Sequence, residues 1–186
     1  MNETLRSIKN RRSIRVYKPE QIQDSELNAI VEAGLYAPSA MNAQPWHLTV
    51  IQNPDILNAI NTDSLDGMRK DGSEYFTKFL SSPAFDVFYH APTVVVVSGS
   101  GQSPFSANDC AAVAENLLIA AESLNIGSCW VGLARFALHG EKADHYRKTL
   151  QIPDDYSPMA IVALGYKKTS ATGAPDRKPN SVNYVK

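Results

Sequence analysis

Five residues near the start, Arg11-Arg12-Ser13-Ile14-Arg15, place three guanidiniums and a hydroxyl in close sequence. Such charges repel one another unless something negative sits among them. A guanidinium offers forked donors that suit phosphate oxygens, so the cluster reads as an anion clamp. The competing reading is a solvated charge run, or cations gathered at a helix C-terminus. A second segment, Ala37-Pro38-Ser39-Ala40-Met41-Asn42-Ala43-Gln44-Pro45-Trp46, sets Ser39, Asn42 and Gln44 between two prolines. Prolines stiffen the backbone, and hydroxyl and amide groups match the donor and acceptor edge of a heterocycle. A turn that satisfies its own backbone is the alternative.

The chain has 186 residues, 44% hydrophobic and 20% charged, which suits one compact domain over 1–186. A net charge of -1 argues against general nucleic-acid binding. The charge is unevenly placed. Residues 1–20 carry six bases and two acids, residues 166–186 five bases and one acid, and the body between them is acidic. Two basic ends that converge in space would make one anion pocket. The two cysteines, Cys110 and Cys129, form no C-x-x-C pair, and a reducing cytoplasm fits them. The start has no apolar signal region, and the strongest apolar run, Thr93 to Val97, is far too short to span a bilayer.

Elements that could position these groups follow from periodicity. Residues 3–11 form a short helix leading into the basic cluster. Asp24 caps a second helix, in which Leu27, Ile30, Val31, Gly34 and Leu35 make an amphipathic stripe that ends at Pro38. Trp46 to Ile51 reads as a strand, and Pro54 opens a short helix to about Ile60. Residues 62–90 are the least regular stretch, with Tyr75, Phe76, Phe79, Phe85, Phe88 and Tyr89 outside a clear period. They read as a variable cover over a pocket, or as a satellite core. Val94 to Val97 is a buried central strand. Asn108 or Asp109 caps a long apolar helix to Leu124, followed by strands at 129–133 and 159–164 around a helix at 141–150. Residues 170–186 make an extended polar arm. About four strands alternating with helices predict an α+β or three-layer α/β protein.

Other patterns are excluded. Ser98-Gly99-Ser100-Gly101 lacks the third glycine of a dinucleotide fingerprint and reads as a plain loop. His47, His90, His139 and His145 share no ligand spacing, so no metal site is expected. No G-x-S-x-G or Cys/His constellation marks a hydrolase, and Cys129 is read as packing.

The two opening segments, in this order, resemble the nitroreductase family of FMN-dependent oxidoreductases. Further matches are Ala91-Pro92, Asn116-Leu117-Leu118, Gly127-Ser128-Cys129-Trp130-Val131-Gly132, Ala163-Leu164-Gly165-Tyr166 and the tail Asp176-Arg177-Lys178-Pro179. The chain looks like a short member. The resemblance implies a three-layer α/β/α fold with a mixed, mainly antiparallel sheet, and a homodimer with FMN at the subunit interface. It implies that Arg11, Arg12 and Ser13 hold the phosphate and ribityl chain, while Arg15 lies by flavin N1 and O2 and stabilises the anionic reduced state. Pro38, Ser39, Ala40 and Asn42 contribute from the other subunit, and Gln44 also contacts the cofactor. Trp130, Val131, Gly132 and Leu133 approach the ring, with a backbone N–H near N5. Arg177 and Lys178 close on the phosphate. NAD(P)H is the implied co-substrate, with nitroaromatics, quinones or similar small molecules as acceptors in ping-pong turnover. The chemistry belongs to the flavin, so no catalytic side chain is expected. Two rival readings are a flavin-binding or sensing protein without turnover, and a narrower reaction such as dehalogenation or ene reduction. Pro175 stands where relatives often carry a base, which shifts phosphate grip toward Lys178 or Lys168.

Overall fold

In the computed structural model, which describes residues 1–169 and 173–186, four strands form one antiparallel sheet in the order β1-β2-β4-β3. The strands are β1 (Trp46–Ile51), β2 (Thr93–Ser100), β3 (Ile126–Trp130) and β4 (Tyr156–Tyr166). Alternation along β2 sends Val94 and Val96 to one face and Val95 and Val97 to the other, and both faces are covered. On one side lie α1 (Glu3–Asn10), α2 (Asp24–Leu35) and α5 (Ser106–Ser123). On the other lie α3 (Pro54–Asp71), α4 (Glu74–Leu80), α6 (Arg135–Leu138) and α7 (Ala143–Thr149). This is the three-layer arrangement the sequence predicts. A parallel bridge, Ser13 to Ser128, is the mixed component beside an otherwise antiparallel sheet.

Helix α2 packs on α5 at a close approach. A Cβ on Gly34 would lie 2.8 Å from Leu117 Cδ2, so only hydrogen fits without movement. Helix α2 is capped by Gln23 rather than Asp24, because the Glu26 carboxylate accepts from the Gln23 backbone N–H at 3.1 Å. Helix α5 begins three or four residues earlier than expected, with Phe105 as its N-cap. Asp109 is freed for another contact described below.

The stretch 62–90 departs most from expectation. It is mainly helical: α3 runs on to Asp71 and stops at Gly72, whose φ of 70° favours glycine. Leu57, Ile60, Ser64 and Met68 form its buried stripe, and the serine broke the apolar period that would have revealed it. Phe76, Val87 and Phe88 join the core that packs against β2 rather than standing apart as a satellite. Residues 98–100, expected in a loop, complete β2. The strand at 129–133 instead occupies Ile126–Trp130, and the last strand extends at both ends. The helix at 141–150 is the shorter α7. Among the described residues, no helix is long and apolar enough to cross a membrane.

Candidate functional site

Two glycines set the position of the basic cluster. Gly127 of β3 and Gly165 of β4 are directly paired. A Cβ on Gly127 would come within 2.9 Å of Ile14 Cγ2, and one on Gly165 within 3.0 Å of Tyr17 Cδ1. Their missing side chains let residues 13–17 lie against the edge of the sheet. Ile14 N–H donates to Ser128 O at 2.9 Å, Lys18 N–H to Tyr166 O at 2.9 Å and Lys168 N–H to Val16 O at 3.2 Å. The Tyr17 hydroxyl donates to Ile14 O at 2.6 Å. Ile14 and Tyr17 are buried anchors, while Ser13 and Arg15, on either side of Ile14, are exposed.

Arg12 and Arg15 differ in role. The Arg12 guanidinium turns back over the end of α1, donating to Lys9 O at 2.8 Å and Arg11 O at 2.6 Å. Its Nε is buried without a partner. Arg12 therefore combines the two readings of the cluster: it caps a helix C-terminus and also lines a cleft of about 840 Å³ with Lys9, Lys18, Lys167, Lys168 and Gly173. The one carboxylate there, Glu122, is tied to Lys167 at 2.8 Å. Bases at 9–18 and at 167–168 thus line one cleft, the condition under which the two basic ends would make an anion pocket, and a concave surface with this excess of bases draws anions.

Arg15 sits over the Tyr89 ring, its guanidinium carbon 5.6 Å from the ring centre. Burial pulls its pKa down, but the neighbouring Tyr89, Cys129 and Tyr17 side chains outweigh that and hold it above the ordinary value. Burial raises the Cys129 thiol, and Arg15, Ser13 and Arg11 recover only part of the shift. Cys129 therefore remains a neutral thiol near neutral pH, in keeping with a packing role. Tyr89 was not singled out as a site residue by sequence. It has a φ of 58°, and no local pattern announces a left-handed tyrosine.

Beside Arg15, the end of β3 is open. Trp130 is exposed, Val131 is buried, and Leu133 is half-buried. Gly132 is exposed, and a Cβ built on it meets nothing within 4 Å. Its lack of a side chain leaves room for a flat group without serving any contact inside the chain.

The 38–46 segment is strained and held from outside. Met41, Asn42 and Gln44 have φ of 53°, 53° and 46°, each costing on the order of 1 kcal/mol. Ser39 Oγ accepts from Gln44 N–H at 2.9 Å, and the Gln44 amide donates to Asn42 Oδ1 at 3.1 Å. Asp109, from the first turn of α5, accepts from Ala40 N–H at 3.2 Å. The segment satisfies part of its own backbone, as the turn reading holds, yet Pro38, Met41, Asn42 and Gln44 stay exposed.

The two halves do not meet within one chain. Residues 38–44 lead into β1, whereas Ser13, Arg15 and Trp130 line β3, and these strands are the opposite edges of the sheet. Three strand spacings separate them by roughly 14 Å. The described part of the arm is exposed and forms neither helix nor strand. Arg177 donates to Pro175 O at 2.9 Å, and neither Arg177 nor Lys178 lines the basic cleft. The first three residues of the arm, 170–172, lie outside the described residues.

An FMN-sized ligand fits what is present. Arg12 Nε lacks an acceptor, Arg15 has no carboxylate partner among the described residues, and Gly132 fronts open space. These supply anion donors at one end and room for a ring at the other.

Comparison with known proteins places this arrangement. A protein of Archaeoglobus fulgidus, provisionally named NADH dehydrogenase/NAD(P)H nitroreductase, is 35% identical over 173 residues, covering 90% of this chain and 87% of the relative. A nitroreductase crystal structure with bound FMN from Bacteroides fragilis is 34% identical, with a TM-score of 0.91 over 100% of both chains. Another with bound FMN, from Desulfitobacterium hafniense, is 30% identical at a TM-score of 0.91, again over 100% of both chains. Residues 8–166 match the nitroreductase family as a whole, with the bases at 11–15, the segment at 38–46 and the glycine-bearing end of β3 inside the match, and the chain belongs to that family.

Proposed function

We propose that this protein is an FMN-dependent oxidoreductase that uses NAD(P)H, acting on nitroaromatic, quinone or similar acceptors as a single 1–186 unit. The observation that carries the reading is the edge of β3, where Arg15, with no carboxylate partner among the described residues, stands beside the bare surface at Gly132. FMN bound there would supply the redox chemistry, carrying electrons from NAD(P)H to the acceptor.

The residues bind, orient and exclude. Ser13, Arg11 and Arg12 hold the ribityl phosphate, and Lys168 strengthens the grip that Pro175 weakens. Arg15 presents its charge to the pyrimidine edge of the ring. Trp130, Val131, Gly132 and Leu133 would form the surface that receives the ring and offer it a backbone N–H. A second copy brings Pro38, Ser39, Ala40, Asn42 and Gln44 to complete the site, which explains why a strained polar segment stays exposed on one chain. Arg177 and Lys178 close on the phosphate when the 170–186 arm folds over it. The 62–90 stretch flanks the open face and limits which acceptors enter. Donor and acceptor use one face in turn, giving ping-pong kinetics. Two buried, unpaired cysteines suit a cytoplasmic setting.

The test is the visible spectrum of the purified protein, followed by NADH or NADPH added without oxygen. Flavin bands that bleach and return with a nitroaromatic or quinone establish the reading. Bands that stay unbleached favour a flavin-binding or sensing role. A colourless protein that takes up no FMN overturns it.

A further inference from the structure

Most cations that the fold pins in place are held by carboxylates: Lys142 by Asp63 and Lys167 by Glu122, each at 2.8 Å. Arg15 is held differently. Its side-chain neighbours are Tyr89, Tyr17 and Cys129, none of which is a carboxylate. A carboxylate would fix the guanidinium but cancel its charge. An aromatic face orients it and leaves the charge intact.

The turn that carries Tyr89 is built to hold it there. Tyr89 and His90 both lie in the left-handed region, at φ of 58° and 55°. A bulky residue keeps that conformation only where its surroundings impose it, and such residues gather at functional sites. Here the buried Asp86 carboxylate accepts from Phe88 N–H at 2.8 Å and His90 N–H at 3.0 Å. Val87 N–H donates to Asn61 Oδ1 of α3 at 2.9 Å. Val87 and Phe88 are buried in the core, so the turn cannot relax outward. The Tyr89 ring is further fixed by Phe85, 6.2 Å between centres, which in turn meets Phe79 of α4 at 5.3 Å.

We propose that Tyr89 is a positioning residue of this site: an aromatic clamp, anchored through Asp86 and Phe85, that aims the Arg15 guanidinium at the bound cofactor without a carboxylate to cancel its charge. The inference rests on the flavin reading above. Tyr89 acts through Arg15, so its effect should vanish when Arg15 is gone.

The experiment is a double-mutant cycle read on the two-electron midpoint potential of bound FMN. It uses the holoprotein, Tyr89→Leu, Arg15→Ala and the double variant, with Tyr89→Phe as the conservative control. Arg15→Ala should move the potential negative, because a cation that favours the anionic reduced state is lost. Tyr89→Leu should move it the same way, by about fivefold in relative affinity for the reduced form, or about 20 mV at 29.6 mV per decade. In the Arg15→Ala background it should add nothing. Tyr89→Phe keeps the ring and should restore most of the wild-type value, and Tyr89→Met, which also lacks an aromatic face, serves as the test variant should the leucine protein not fold. A Tyr89→Leu shift that persists without Arg15, or no shift at all in a folded, flavin-loaded variant, overturns the inference while leaving the flavin reading standing. A wild-type protein that takes up no flavin overturns both.

Discussion

Arg15 and Arg177 are assigned different tasks at the two ends of one cofactor. Arg15→Ala is expected to slow flavin reduction by NAD(P)H more than it weakens FMN retention, and Arg177→Ala to do the reverse. Loss of one charge-assisted hydrogen bond should cost roughly 1.5–3 kcal/mol, or about one to two decades in affinity. Stopped-flow reduction and FMN titration of the apoproteins separate the two effects. Equal flavin loss in both, with normal turnover after refilling, would show that the roles are not divided. Gly132 allows a cleaner separation of stability from binding. Its Cβ position is empty and its φ is not in the left-handed region. Gly132→Leu should leave the thermal stability of the apoprotein within about 0.5 kcal/mol, yet weaken FMN binding at least tenfold by occupying the ring's seat. A drop in apoprotein stability matching the loss of flavin would place that glycine's role in folding.

At the scale of elements, the layer bearing α3, α4, α6 and α7 is fastened by a polar clamp. Asp63 of α3 accepts from the Tyr146 hydroxyl of α7 at 2.5 Å and from Lys142 Nζ at 2.8 Å. Burial pushes the Asp63 carboxyl up, but the hydrogen bonds from Lys142 and Tyr146 and the nearby positive charge prevail and hold it below its usual range. A carboxylate depressed on folding stabilises the native state above its unfolded pKa, near 3.9, and loses that contribution as pH falls through the lower folded value. Native stability should therefore decline below about pH 4. Asp63→Asn should lower stability at pH 7 by about 1 kcal/mol and flatten the decline, as measured by denaturant melts across pH 2–7. An unchanged acid limb in the variant would assign that decline to other carboxylates. The clamp matters to the site because α3 also holds Asn61, which fixes the turn leading to Tyr89.

For the whole molecule, the decisive relation is between the two edges of the sheet. In the arrangement we propose, a site split between β1 and β3 closes when a second copy brings its 38–44 segment to the first copy's β3 edge. Tyr36 and Met41 are exposed by 80% and 93% beside that segment, an apolar surface suited to burial between subunits. The flavin-loaded protein should sediment as a dimer of the 20.4 kDa chain, and dilution that dissociates it should release FMN in parallel. A monomer that retains its flavin would sink the shared-site arrangement.

Much of this was legible in the chain. The basic cluster, the proline-bounded segment, the valine strand and the glycine-bearing strand end each occupy a few consecutive residues, and short-range chemistry and pattern reveal them. The helix over residues 62–71 was not legible, because Ser64 interrupts its buried stripe and helical period is read from apolar side chains. Asp109 passed for a helix cap because type and neighbourhood fit one, whereas its partner is Ala40, 69 positions earlier. Sequence alone determined which groups could bind an anion and a ring, and the fold that carries them. Tertiary structure alone decided that Arg12 turns onto α1, that Tyr89 is the group facing Arg15, and that the two halves of the site stand on opposite edges. Those facts depend on where distant segments pack and on left-handed backbone imposed by that packing, and neither is written in local sequence.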